Sequence, residues 1–301
     1  MRILVTGSNG LMGRVVSRLL STSGHNVVPL LRQGRPGGRG LRWDPERGQI
    51  ESTQLHGFGA VIHLAGENIA GRWSEEKKRR IRDSRVKATR TLCQALARRP
   101  TPPRVLVAAS GVNYYGDRGE ELLTEDSPPG EGFLPEVCME WEAATRPAVE
   151  AGIRVVNLRF GMVLSAEGGA LPKMLKPFRL GLGGPVGSGR QFMSWITLDD
   201  AASIIQFALD NEALQGPVNA VSPNPVPNRE FARTLGAVLH RPALLPFPRF
   251  AARAVLGEMS EELLLSSIRA APRRLEDAGY EFVWPDLRSA LEAVLAQENN
   301  I

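Results

Sequence analysis

Ile3-Leu4-Val5 is an apolar run without polar alternation, the pattern of a short strand buried on both faces. Beyond a glycine-rich turn, Leu11, Met12, Val15, Val16, Leu19 and Leu20 recur at helical spacing, and Gly24 stops that helix. Asn26 to Leu31 reads as a second strand, Ala60 to Ala65 as a third, Arg104 to Ser110 as a fourth and Arg154 to Leu158 as a fifth. Between them lie a Gly/Pro/Arg-rich loop running to Gly40, a long polar helix from about Ser74 to Arg98, and a helix around Pro135 to Ala151. Strands alternating with helices predict an α/β fold: a doubly wound parallel sheet of Rossmann type, covered on both faces.

The texture changes after about Ser165. Gly168, Gly169, Gly181, Gly183, Gly184, Gly187 and Gly189 mark a loop-rich stretch. Pro217 to Ser222 has the composition of a strand, a helix starts at Asn228, and apolar helical patterns recur over Ala251 to Leu265 and Asp286 to Leu295. We expect residues 1–165 to form a dinucleotide-binding domain. Residues 166–301 would form a smaller substrate lobe over the carboxyl edge of the sheet, part of it returning to the core.

Composition narrows the class. With 43% hydrophobic residues and a net charge of +5, the chain of 301 residues is no disordered polymer. No apolar stretch reaches the ~18 residues of a membrane span, and nothing at the start resembles a secretory leader. Cys93 and Cys138 cannot build a disulfide framework, which fits a reducing, cytoplasmic setting. The four histidines show no metal-ligand spacing, so no metal is expected. Arginine supplies most of the positive charge, which genome composition or an anionic partner would each explain. The densest run, Glu75 to Arg80, pairs its charges at i,i+4 as a solvated helix face does, so it argues against nucleic acid.

The chemistry starts at Gly7-x-x-Gly10-x-x-Gly13, between the first strand and the first helix. Glycines there permit a tight turn and close approach of backbone to a pyrophosphate, and the helix N-terminus supplies N–H donors. A glycine triplet alone is common; its strand–turn–helix context makes it informative. The spacing points to the short-chain dehydrogenase/reductase superfamily. The second strand ends Leu30-Leu31-Arg32, with no acidic residue to hold both ribose hydroxyls, and an arginine there suits a 2′-phosphate. Arg35 and Arg39 are possible helpers. The alternative is one more surface arginine in an arginine-rich chain. Small residues in His63-Leu64-Ala65-Gly66 would let the cofactor pass, and Glu67 and Asn68 follow as polar groups or as an ordinary strand-end turn.

The chain resembles an extended, atypical short-chain dehydrogenase/reductase of the epimerase family, some of whose members carry a "cell division inhibitor" label. The resemblance rests on Leu64-Ala65-Gly66-Glu67-Asn68-Ile69, Ser84-Arg85, Tyr114-Tyr115-Gly116, Trp141-Glu142, Arg159-x-Gly161-x-Val163-Leu164 and Gly187-Ser188-Gly189-Arg190-Gln191. Leu256-Gly257-Glu258-Met259 and Ala278-Gly279-Tyr280 resemble the family's C-terminal domain of unknown function. It implies NADP(H) as cofactor, bound by Gly7, Ser8, Asn9, Gly10, Leu11, Met12, Leu31, Arg32, Leu64, Ala65, Arg85 and Val163. Gly183 to Gln191 and Trp195 would face the substrate cleft.

The superfamily's Tyr-x-x-x-Lys pair, in which lysine lowers the tyrosine pKa, is absent. In the expected helix Leu134 and Cys138 take the two positions, and Gly111 takes the place of the supporting serine. Ser110 and Tyr115 remain as catalytic candidates, with Glu67 a weaker third; both could equally be packing and a hydrogen-bonded core tyrosine. The expected function is an NADP(H)-dependent oxidoreductase or sugar-nucleotide-epimerase-like enzyme with a small, anionic substrate as the partner its charge admits. The alternative is a non-catalytic NADP(H)-binding regulatory or interaction protein.

Overall fold

Residues Arg2–Thr6 form β1, whose successive side chains alternate between two cores. Ile3 and Val5 face one helical layer and Leu4 the other, all fully buried, which is why the run carries no polar alternation. The structure, a computed structural model, describes residues 1–33, 40–50 and 52–298. From β1 the chain enters α1 (Leu11–Thr22), then β2 (Asn26–Arg32), β3 (Leu41–Asp44), β4 (Gln49–Ile50) and β5 (Ala60–His63). Helix α2 (Glu75–Ala97) is capped by Ser74, whose side chain accepts the N–H of Lys77. It leads to β6 (Val105–Gly111), the short β7 (Leu122–Leu123) and α3 (Phe133–Ala143).

The expected helix from Pro135 to Ala151 is two helices, α3 and α4 (Arg146–Glu150). Pro147 has no N–H to give to the carbonyl of Ala143, so the chain re-starts at Thr145. Strand β8 (Arg154–Phe160) follows, then β9 (Met162–Leu164), α5 (Leu171–Arg179), β10 (Phe192–Met193), β11 (Trp195–Thr197), α6 (Leu198–Asp210) and β12 (Gly216–Ala220). The central sheet has eight strands in the order β12-β8-β6-β5-β1-β2-β3-β4, parallel except for the β3–β4 pair. Register is set by pairs such as Ile3 with Val27 on one side and Ala60 on the other. Helices α1 and α6 cover the Ile3 face, and α2 with α4 the Leu4 face.

Helix α6 lies between the glycine-rich stretch and the strand expected from Pro217, where no element is assigned from the sequence. Its start is a reciprocal cap: Asp200 N–H donates to Thr197 Oγ1, which donates to Asp200 Oδ2. The remaining elements are β13 (Val226–Pro227), α7 (Asn228–Val238), α8 (Arg249–Leu256), α9 (Glu258–Ser260), β14 (Arg269–Ala270), α10 (Arg273–Asp277) and α11 (Leu287–Glu298). The apolar stretch Ala251 to Leu265 breaks at Gly257, whose φ of 62° a side chain rarely adopts, and continues as α9 and a wider turn over Glu261–Leu265. A third core, around Leu171, Leu175, Phe178, Trp195, Phe231, Leu235 and Leu291, binds α5, α7 and α11 together. Among the described residues no helix is long and apolar enough to cross a membrane.

Candidate dinucleotide site

The turn after β1 is built so that three backbones touch. Gly7 has φ 70°, and a Cβ on it would sit 2.8 Å from the Leu64 carbonyl carbon beyond β5. A Cβ on Gly13 would sit 2.1 Å from the Gly7 carbonyl oxygen, which already accepts the Gly10 N–H at 2.9 Å. Glycine is therefore required at both positions, and the first turn of α1 is brought over the carboxyl end of β1. The leading N–H groups of α1, from Leu11 onward, have no intrahelical acceptor and point where an anion is favoured. Arg14 Nη1 holds the Asn9 carbonyl at 3.1 Å. Ser8 Oγ is buried without a protein partner, an unmet polar atom inside the turn. The cradle therefore fits a dinucleotide pyrophosphate.

Below the turn runs a buried polar ladder. Thr6 Oγ1 accepts the N–H groups of Leu64 and Ala65, both at 3.2 Å, and lies 2.7 Å from His63 Nδ1. With two N–H groups already accepted, Thr6 donates its own proton to Nδ1, so His63 carries its proton on Nε2 and donates to Thr89 Oγ1 at 2.9 Å. Thr89 also accepts the Trp141 indole N–H at 2.9 Å. Burial drives the His63 pKa down to about 4, so the ring is neutral. The ladder fixes Leu64 and Ala65 at the strand end where a cofactor would cross.

Arg32 ends β2, half-buried, two strands from the loop after β5. Arg35 and Arg39 lie outside the described residues. Arg85 donates from Nη1 to the carbonyls of Glu67 and Ile81 and stacks over Trp141 at 5.0 Å, so it packs directly beneath Gly66. Burial lowers its pKa. Glu67 accepts from Lys77 at 2.8 Å, and that hydrogen bond holds its carboxyl below the usual range. Val163 sits in β9 opposite Ile196 of β11. Gly169 lies between the Val163 carbonyl and the Leu11 side chain, which sets Val163 beside the start of α1.

The two hydroxyl candidates both have protein partners. Ser110, at the end of β6, donates to Glu142 Oε1 at 2.7 Å. Tyr115 is fully buried, donates to Asn219 Oδ1 at 2.7 Å and accepts from Arg159 Nη1 at 2.9 Å. Burial pushes its pKa up to about 12. Arg159 meets Glu142 at two points, and despite its burial this carboxylate holds it more firmly protonated. Its guanidinium lies 3.5 Å from the centre of the Tyr114 ring. Leu134 and Cys138 are buried in α3, and burial lifts the Cys138 thiol to about 12. Trp195 differs from expectation: it is fully buried in the lobe core, its indole N–H bonded to the Asn224 carbonyl, and Gln191 is likewise buried. The motifs that contain Glu142 and Arg159 assign neither residue a role. A charged residue inside the apolar run of β8 was the available signal, because a buried guanidinium needs a carboxylate.

Residues 3–220 match the NAD dependent epimerase/dehydratase family, and residues 247–294 match a domain of unknown function, DUF1731. The chain belongs to the NAD dependent epimerase/dehydratase family. An epimerase family protein of Mycobacterium tuberculosis is 42% identical over 281 residues, 93% of each chain. The crystal structure of human epimerase family protein SDR39U1 (isoform 2) with NADPH superposes with a TM-score of 0.91 at 38% identity, covering 98% of this chain and 99% of that one. A nucleoside-diphosphate sugar epimerase from Corynebacterium glutamicum has a TM-score of 0.80 at 36% identity, covering 100% of this chain and 61% of that one.

Proposed function

We propose that this chain is an NADP(H)-binding protein of short-chain dehydrogenase/reductase type, acting as an oxidoreductase or epimerase-like enzyme on a small substrate. The observation that carries the reading is the glycine cradle with its unmet Ser8 Oγ, ending a fold shared along its whole length with a relative crystallised with NADPH. Gly7 to Met12 would hold the pyrophosphate, Leu31 and Arg32 the adenosine 2′-phosphate, Leu64 and Ala65 the crossing point. Arg85 would brace that strand end, and Val163 would border the nicotinamide. When bound, NADP(H) gives or takes a hydride. Residues 1–165 would supply the cofactor half and 166–301 the lobe that closes over it. Two free, buried cysteines support a reducing, cytoplasmic location.

A second reading has its own support. Ser110 and Tyr115 would stand nearest the nicotinamide, yet both hydroxyls are engaged, and a tyrosine pKa near 12 makes a poor base at neutral pH. This favours a cofactor-bound regulatory or interaction protein without ordinary reductase turnover. Calorimetric titration with NADPH and NADH, followed by cofactor turnover on a panel of carbonyl and nucleotide-sugar substrates, tests both readings. Binding without turnover supports the second, brisk turnover the first, and no binding of either cofactor defeats both.

A further inference from the structure

The loop after β5 is pinned to α2 by its backbone. Glu67 N–H donates to Ser84 Oγ at 2.9 Å, and the Glu67 carbonyl accepts from Arg85 Nη1 at 3.0 Å. Its side chain is not needed to hold the loop. Instead the carboxylate reaches back to the start of α2, where Lys77 Nζ donates to Oε1 at 2.8 Å. Lys77 is well covered, its side chain 15% exposed, and Glu67 is its only carboxylate partner among the described residues. Arg80 lies at 3.8 Å from the same oxygen but turns outward to the exposed Glu76. β1 alone separates β5 from β2, and all three strands run parallel, so Arg32 and the loop carrying Glu67 leave the same carboxyl end of the sheet, with Arg32 within reach of the Glu67 charge.

We propose that Lys77 is a second specificity-determining cation for the cofactor 2′-phosphate, facing Arg32, with Glu67 as its resting counter-ion. The inference rests on the NADP(H) reading above. A phosphate monoester carries about −1.5 to −2 charges at neutral pH, more than a carboxylate, so it can share or take over the Lys77 ammonium. The ribose hydroxyl of NAD(H) carries none and cannot compete with Glu67. Arg32 supplies a planar, two-pronged contact and Lys77 a compact point charge, roles the two side chains fill in different ways. Glu67 then tunes discrimination: it keeps Lys77 placed and neutralised, and opposes the phosphate by like charge.

The test is titration of NADPH and NADH into the full-length protein by calorimetry or fluorescence, with thermal midpoints recorded for each variant. Lys77→Met should weaken NADPH about tenfold, the scale of one charge-assisted hydrogen bond, and leave NADH within about twofold. Glu67→Gln, which keeps the backbone anchors and frees the ammonium, should tighten NADPH a few-fold without moving NADH. Equal weakening of both cofactors by Lys77→Met, or weaker NADPH binding in Glu67→Gln, overturns the assignment. A parent protein without preference between the cofactors overturns the NADP(H) reading and this pocket with it. A parent that prefers NADPH, with both variants unchanged, overturns the pocket alone.

Discussion

The carboxylate of Glu142 on α3 meets the guanidinium of Arg159 on β8 at two points, each 2.8 Å, in a site where Arg159 is 2% exposed. The pair organises both hydroxyl candidates: Ser110 donates to the carboxylate, and Tyr115 accepts from the guanidinium. The Ser110 and Tyr115 hydroxyls are thereby each tied to another element. A short-chain reductase with a Tyr–Lys pair needs a phenol free to exchange a proton with substrate. Here the Tyr115 phenol is a strut between Arg159 and Asn219.

Breaking this pair should be costly. Glu142→Ala leaves a buried guanidinium without its carboxylate, a change that costs about 3–5 kcal/mol in comparable sites. Urea unfolding of parent and variant measures it. A loss below about 1 kcal/mol would show that water or another carboxylate takes the place of Glu142.

Tyr115→Phe removes one hydroxyl and orphans Asn219 Oδ1, while Arg159 Nη1 keeps the Glu125 carbonyl at 3.4 Å. The expected result is a stability loss of about 1–3 kcal/mol with NADPH affinity unchanged. Unfolding and titration on the same preparation check both halves. Abolished turnover in an otherwise stable, active protein would instead make the phenol the acid/base group.

Arg32 should set cofactor choice. Arg32→Ala removes the guanidinium at the end of β2 and should weaken NADPH at least tenfold while NADH changes little. Titration of both cofactors decides it. Parallel losses would mean Arg32 only packs against the adenosine.

How much of this was legible in the sequence depended on whether the cause was local. The β1–turn–α1 unit was, because Gly7, Gly10 and Gly13 act within a few residues and apolar spacing marks what flanks them. Helix α6 was not, although Thr197 and Asp200 form a cap readable at three-residue spacing; the glycine-rich text before it masked the signal. Pro147 marks the break between α3 and α4, a local signal that the helical apolar spacing on either side of it conceals. The partners of Tyr115 could not be read, since Asn219 lies 104 residues away and meets it only because β12 joins the sheet beside β8. Asp200 is similar: it also accepts the N–H groups of Val283 and Trp284, a tether between α6 and the C-terminal segment that no local pattern announces.

The ladder beneath the glycine turn makes a pH prediction. His63 is fully buried, and burial lowers its pKa from 6.5 to about 4. In the unfolded chain the imidazole takes a proton near its ordinary value, so between about pH 6.5 and 4 the unfolded state binds more protons than the native one. Stability from this group is therefore fully present above pH 6.5, falls as pH drops through that window, and levels off near pH 4, a swing of roughly 3 kcal/mol. His63→Asn keeps a polar side chain between Thr6 and Thr89 but cannot titrate, so its unfolding free energy should lose this part of the slope. The measurement is urea unfolding of both proteins at half-unit steps from pH 4 to 8. Since Thr6 also anchors Leu64 and Ala65, protonation of native His63 should loosen that strand end, so NADPH affinity should hold down to about pH 5 and fall only as pH approaches 4, in the parent only. Identical pH slopes in parent and variant would show that His63 is protonated in the native protein at its ordinary pKa.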